Sequence, residues 1–220
     1  MSLHRQPRSV ARELALLSLS QFSNSSEKLS DQDLNKLILA AVRTLVSEVQ
    51  ENLEKAAEEA NRSHQRLLSS EIRASNLTSA KAMVQEAIGH TESAINRLST
   101  ILELPETIQL ANHHEVRSYA LEIIGTVNRY EREIKETIEK ALVDWKYSRL
   151  PRVDRDIIRI AVAEILYIPQ TPQKTAIDES VKLAKRYSDE EGYRFINGVL
   201  RRVVDKLTDK VDKQAAKINQ

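Results

Sequence analysis

Pro151-Arg152-Val153-Asp154-Arg155-Asp156-Ile157-Ile158-Arg159-Ile160-Ala161-Val162-Ala163-Glu164-Ile165-Leu166 decides how this chain folds. Proline opens it, as suits the start of a helix, and Pro169 closes it. Between them Val153, Ile157, Ile160, Ala161, Ile165 and Leu166 surround the axis with apolar side chains rather than marking one stripe. A helix that is apolar nearly all round belongs at the centre of its domain. The segment therefore predicts a bundle built around residues 152–166.

Working outward, every neighbour reads as helix. With only five prolines and four glycines in 220 residues, the punctuation that strands and turns require is scarce. Thr171-Pro172 fits an N-cap with proline at the first helical position, and Ala176, Ile177, Val181, Ala184 and Tyr187 supply the packing face that follows. A last core helix is expected from about Asp189 past Leu200 toward Leu207, followed by a flexible, basic, lysine-rich tail at 211–220. Upstream, Val116, Leu121, Ile124, Val127, Ile134, Ile138 and Leu142 predict one helix from about His114 to Trp145.

The N-terminal half is thinner in large apolar residues. A first helix is expected from about Arg8 to Gln21, and Ser30 fits an N-cap for a long helix from Asp31 to about Ser69. Its apolar spacing (Leu34, Leu37, Ile38, Ala41, Leu45) gives way to Glu51, Glu54, Lys55, Glu58 and Arg62. Leu77 to Leu102 repeats apolar residues at helical intervals, and Pro105 ends it. The two read as arms of an antiparallel, coiled-coil-like hairpin suited to spacing or partner contact. The fold class is all-α.

Composition narrows the function. Lys+Arg 33 against Asp+Glu 32 leaves no bulk charge to attract nucleic acid or membranes, so recognition must come from local asymmetry. The absence of cysteine removes disulfides, thiol nucleophiles and thiolate metal sites. No window approaches 18 continuous apolar residues, so no membrane span or membrane partner is expected. Met1 to Ser26 carries Arg5, Arg8 and Arg12 with one acid, a composition shared with transit peptides. No phosphate loop, His-Glu-x-x-His or nucleophile elbow occurs, and the scattered histidines read as surface residues. Catalytic, metal and cofactor residues are expected to be none.

Two basic clusters remain. Arg5, Arg8 and Arg12 precede any acid, and arginine suits phosphate through its planar fork. Near the other end, Lys182, Lys185, Arg186, Arg194, Arg201 and Arg202 accompany Tyr193 and Phe195, which could stack on unpaired bases. Phe195 fits a core position as readily as a contact, and a basic helix face fits simple solvation. Periodicity leaves open whether the two clusters meet.

Four separated blocks resemble the NusB family of transcription antitermination proteins. They are Ala11-Arg12-Glu13-Leu14-Ala15-Leu16, Trp145 through Ala161, Ala176-Ile177-Asp178-Glu179-Ser180-Val181-Lys182-Leu183-Ala184-Lys185-Arg186-Tyr187, and Arg194-Phe195-Ile196-Asn197-Gly198-Val199-Leu200. The resemblance implies a pair of small helical bundles forming one domain over 1–210, with 49–112 as an inserted hairpin. It implies a non-enzymatic, cytoplasmic adaptor that binds boxA-like RNA together with the small-subunit ribosomal protein NusE, within the transcription elongation machinery and in ribosomal RNA synthesis. Arg5, Arg8, Arg12, Tyr193, Arg194 and Phe195 become the RNA-binding candidates, and Glu190, Glu191 and Phe195 the protein-partner candidates. Asn197 and Gly198 resemble structural positions, for a local hydrogen bond and a close helix approach. Against the family pattern, Pro7 and Ser9 thin the first basic patch, and Leu19 stands where an aromatic is frequent. A protein-interaction module without RNA binding is the alternative, and a homodimer stays open. An NusB-like domain also precedes the catalytic part of some ribosomal-RNA cytosine methyltransferases, but those need a cysteine this chain lacks.

Overall fold

A computed structural model describes residues 6–21, 31–102 and 104–218. Arg5 and the Ser30 cap expectation lie outside the described residues. The order is α1 (Pro7–Gln21), α2 (Asp31–Ile72), α3 (Leu77–Ile101), α4 (Leu104–Ala111), α5 (His114–Arg129), α6 (Glu131–Ala141), a 3-10 turn at Tyr147–Arg149, α7 (Arg152–Tyr167), α8 (Gln173–Tyr187) and α9 (Gly192–Ile218). Among the described residues there is no strand. The chain divides into two compact units, one holding Val42–Leu110 and one holding Arg5–Ala41 with Ala111–Gln220.

In the second unit α7 is the hub, as its apolar circumference requires. α1, α5, α6, α8 and α9 all pack on it. Ile157, Ile158, Ile160, Ala161, Val162 and Ala163 are sealed from solvent, whereas Val153, Ile165 and Leu166 toward the ends are half-buried. α1 lies along both α5 and α7 and is buried from Val10 through Leu16 without a break. That run includes Arg12 and Glu13, so two charges enter the interior because their helix is wrapped on every side. Arg152 Nη2 donates to the carbonyl of Leu19 at 3.4 Å, and Arg12 meets Glu164, so α1 runs antiparallel to α7.

Four local expectations change. The helix expected over His114–Trp145 is two helices, because Tyr130 leaves helical geometry (φ −111°, ψ 29°). The Tyr130 ring stacks on Tyr167 at the end of α7, centroids 3.9 Å apart and planes within 7°, and this holds the break. Pro105 does not simply end α3; it occupies the first turn of α4, where a missing N–H costs nothing. Thr171 does not cap α8, since Pro172 stands at the N-cap and the Thr171 hydroxyl is buried against Tyr119. Gly198 makes no close helix approach, because a Cβ there would meet only Arg202 Nη1 at 3.6 Å. The crowded glycine is Gly192, where a Cβ would lie 2.9 Å from Ser188 Cβ. The helical backbone of α9 continues to Ile218, through most of the lysine-rich segment.

In the first unit, the arms of α2 and α3 pair antiparallel. Ser63 and Thr91 hydroxyls are 2.9 Å apart, His90 Nδ1 lies 2.7 Å from Glu59, and Arg66 Nε lies 2.9 Å from Glu86. Asn76 caps α3, its side chain accepting from the Ser79 N–H at 2.8 Å. Small residues at the seam (Ala56, Ser63, Ala87, Ala94) let the backbones approach.

Candidate nucleic-acid and partner surface

Arg12 sits in the interior with 2% exposure, facing Glu164 at 0%. Its Nε lies 3.0 and 2.9 Å from the two carboxylate oxygens, and Nη2 lies 2.8 Å from Oε1. The Tyr119 hydroxyl donates to the same carboxylate and lies 2.7 Å from the Thr171 hydroxyl. Burial on its own would depress the Arg12 pKa, but the hydrogen bond and charge of Glu164 outweigh it and hold the guanidinium above its ordinary range. Burial, reinforced by the hydrogen bond to Glu164, pushes the Tyr119 phenol up to about 12. Glu179, 3.9 Å from Arg12 Nη1, is held below the ordinary carboxylate range. There burial acts upward, and the Lys182 and Ser9 hydrogen bonds with the Lys182 and Arg12 charges prevail. Glu13 accepts from the Tyr187 hydroxyl and pairs with Arg186 at 3.1 Å. Together these residues tie α1 to α5, α7 and α8.

This geometry removes Arg12 from the RNA-binding candidates. Its guanidinium is enclosed in the bundle against Glu164, and solvent does not reach it. Arg8, one turn earlier, is exposed, and its guanidinium lies 5.1 Å from the Tyr119 ring centre. It borders a hollow of about 460 Å³ lined also by Pro7, His114, Glu115, Ser118, Glu122 and Gln170. Glu115 and Glu122 make that hollow mixed in sign, not uniformly basic.

Phe195 is half-buried on the first turns of α9, its ring 5.8 Å from Trp145 and tilted 59°. Trp145, in the loop after α6, is 53% exposed. Beside it Lys135, Glu139, Leu142, Lys146, Tyr147 and Ser148 line a second hollow of about 380 Å³. Lys135 and Arg155 lie 5.7 and 5.8 Å from the Tyr147 ring centre. Tyr193 is flanked by Lys185 at 5.3 Å and Arg194 at 5.6 Å. Arg194 also donates to the Tyr193 hydroxyl at 3.1 Å and pairs with Glu191 at 3.2 Å. Glu190 and Glu191 are exposed. Of the other basic residues noted in this region, Lys182 is taken by Glu179, Arg186 by Glu13, and Arg202 by the Ala141 carbonyl at 2.7 Å.

The two candidate clusters do not merge. Arg8 and Gln170 belong to the end where α7 finishes, and Trp145 with Phe195 to the end where it begins. Sixteen helical residues, about 24 Å, lie between those ends. The sequence did not single out Trp145 or Tyr147 as contacts. The available signal was the isolated Trp145 in a stretch with Lys146 and Tyr147 and no helical apolar partner spacing.

Over the described residues, fold and surface define a helical protein with a buried ion-pair centre in an apolar core and a basic-aromatic edge. Among the described residues, no group of three or more His, Asp or Glu side chains is placed to hold a metal. The chain belongs to the NusB family, whose model matches residues 73–205. The transcription antitermination protein NusB of Gloeothece citriformis (strain PCC 7424) is 59% identical over 207 residues, 94% of this chain and 97% of the relative. That of Synechocystis sp. (strain PCC 6803) is 58% identical over 212 residues, 95% and 96% of the two chains. Alignments of that span cannot omit the α2–α3 hairpin, so these relatives share it. A solved complex of antitermination factors NusB and NusE with dsRNA matches at 23% identity, covering 70% of this chain and 97% of that one, with a TM-score of 0.41. Membership makes this a non-enzymatic transcription antitermination protein.

Proposed function

We propose that the protein is an RNA-binding adaptor of the cytoplasm that takes single-stranded boxA-like RNA together with the ribosomal protein NusE, in antitermination and ribosomal RNA synthesis. One observation carries this reading: a half-exposed Trp145 set against Phe195, with Lys135, Lys146 and Tyr147 around it. Exposed indole beside cations gives a base a stacking face and its phosphate a counter-charge. Tyr193 with Lys185 and Arg194 extends the same chemistry along α9. Exposed Glu190 and Glu191 offer a basic protein a complementary rim. Arg8 lies toward the far end of α7, so a strand that reaches it as well must run roughly 24 Å.

Trp145 is the only tryptophan, so its fluorescence reports this site alone. Titrating boxA-like RNA into the protein, with and without NusE, is expected to quench or shift that emission in step with binding measured independently. RNA that binds while the emission stays constant places the contact elsewhere. No RNA binding in either condition favours the protein-interaction module.

A further inference from the structure

Among the described residues, Asp144 is the one residue other than glycine with a positive φ, at 60°. Burial gives no reason for it. Val143 before it and Trp145 after it are both more than half exposed, and Asp144 is exposed itself. No hydrogen bond or ion pair among the described residues holds its carboxylate. Left-handed backbone crowds Cβ against the following carbonyl oxygen, although aspartate and asparagine tolerate it better than most residues. Such a conformation persists where the surrounding structure fixes the chain on both sides, and it concentrates where a chain serves a site.

Both sides of Asp144 are fixed by α9. Upstream, α6 ends at Ala141, whose carbonyl accepts from Arg202 Nε at 2.7 Å. Downstream, the Trp145 ring lies 5.8 Å from that of Phe195. Phe195 and Arg202 are seven residues apart, two turns along one face of α9, or about 10 Å. Leu142, Val143 and Asp144 carry the chain over that distance. Leu142 is extended (φ −71°, ψ 140°), with its N–H still bonded to the Ile138 carbonyl. The bend that follows falls at Val143 and Asp144. Moving φ at Asp144 to the ordinary value near −60° would rotate the chain beyond it by about 120°. The indole would then leave Phe195.

We infer, on the reading that Trp145 stacks a base, that Asp144 is a positioning residue for that contact. Its left-handed backbone seats the indole against Phe195 and leaves more than half of Trp145 open to a base. The carboxylate is not itself the contact, since a negative charge beside an RNA phosphate opposes it. What the position contributes is backbone conformation.

Asp144→Gly and Asp144→Asn keep access to left-handed backbone, whereas the β-branched side chain of Asp144→Val does not. Asp144→Asn and Asp144→Val remove the same charge, so a difference between them reads conformation. Thermal melts check that each variant folds, and Asp144→Ala, less crowded, replaces Asp144→Val if that variant does not. Trp145 is the only tryptophan, so acrylamide quenching of the free protein reports how the indole sits. Asp144→Gly and Asp144→Asn are expected to quench like wild type, and Asp144→Val more readily. Affinity for single-stranded boxA-like RNA with NusE is expected to be about tenfold lower in Asp144→Val than in Asp144→Asn. That gap is expected to close when Trp145→Ala is added to both. Equal quenching in Asp144→Val and Asp144→Asn overturns the inference, as does an affinity gap that persists without the indole. Wild-type affinity in Trp145→Ala alone removes the stacking reading instead, and the quenching comparison still decides whether Asp144 seats the indole.

Discussion

Arg12 and Glu164 stand 152 positions apart and meet in the interior, Arg12 Nε 3.0 and 2.9 Å from the two carboxylate oxygens. The pair joins the first helix of the chain to the central one. Removing one member of a buried ion pair costs about 3–5 kcal/mol, because the other is left charged and unmatched. Arg12→Ala is expected to lose stability on that scale, read from urea unfolding midpoints. Arg12→Lys keeps the charge but not the planar fork, and is expected to recover only part of the loss. RNA affinity of the folded Arg12→Ala protein is expected to stay at the wild-type level. A fall in affinity without a fall in folded fraction would return Arg12 to the RNA contact.

Tyr119 makes the same centre sensitive to alkali. Its pKa rises from 10.0 unfolded to about 12 folded. Between those values the unfolded chain has released the phenolic proton while the folded one still holds it. The contribution is therefore full below pH 10 and is lost as pH rises through about 12, a change on the order of 2 kcal/mol. Unfolding midpoints followed from pH 8 upward should fall more steeply for wild type than for Tyr119→Phe, which has no phenol to titrate. Parallel curves would mean that Tyr119 does not carry this linkage. Glu179 acts at the other limb: its depressed pKa gives stability present above the ordinary carboxylate range and lost as pH falls through the folded value.

Most of the fold was legible because it rests on apolar periodicity, and periodicity is local. The apolar circumference of residues 152–166 marks a hub, and the α2 and α3 patterns mark a hairpin. The break at Tyr130 was not legible, since the apolar spacing runs straight through it and the ring stacks on Tyr167, 37 positions away. The site was less legible for a related reason. Arg12 reads as a surface arginine until α5, α7 and α8 close around α1, and those contacts reach across 107 to 167 positions. Trp145 reads as the end of a helix until α9 brings Phe195 to it.

Gly192 and Gly198 divide in the same way. A Cβ at Gly192 would stand 1.9 Å from Ser188 Oγ and 2.9 Å from its Cβ. Ser188 donates to buried Asp154 at 2.5 Å, so it cannot yield without breaking that bond. Gly192→Ala is expected to cost about 1–3 kcal/mol as an overpacked site. At Gly198 the nearest atom is the end of a flexible arginine, so Gly198→Ala is expected to gain about 0.5–1 kcal/mol from helix propensity. Thermal melts of the two variants should move in opposite directions. A fall in both would show that Gly198 meets something on the face of α9, such as the partner protein or RNA copurifying with the chain.

The RNA surface separates into charge and stacking, and these respond differently to salt. Trp145→Ala removes a side chain already half in water, so the fold is expected to stand, while RNA affinity falls by about 1–3 kcal/mol for a lost stacking contact. The dependence of log K on log salt should keep its slope, since no phosphate contact is removed. Arg8→Ala is expected to do the reverse: a smaller loss of affinity, with the salt slope reduced by about 0.7 for one contact to a single strand. The acidic neighbours Glu115 and Glu122 oppose Arg8, so their replacement by Gln should strengthen binding at low salt. Affinities of the three variants at several salt concentrations test the division. An unchanged slope in Arg8→Ala would leave the far end of α7 outside the RNA path and confine recognition to Trp145, Phe195 and their lysines.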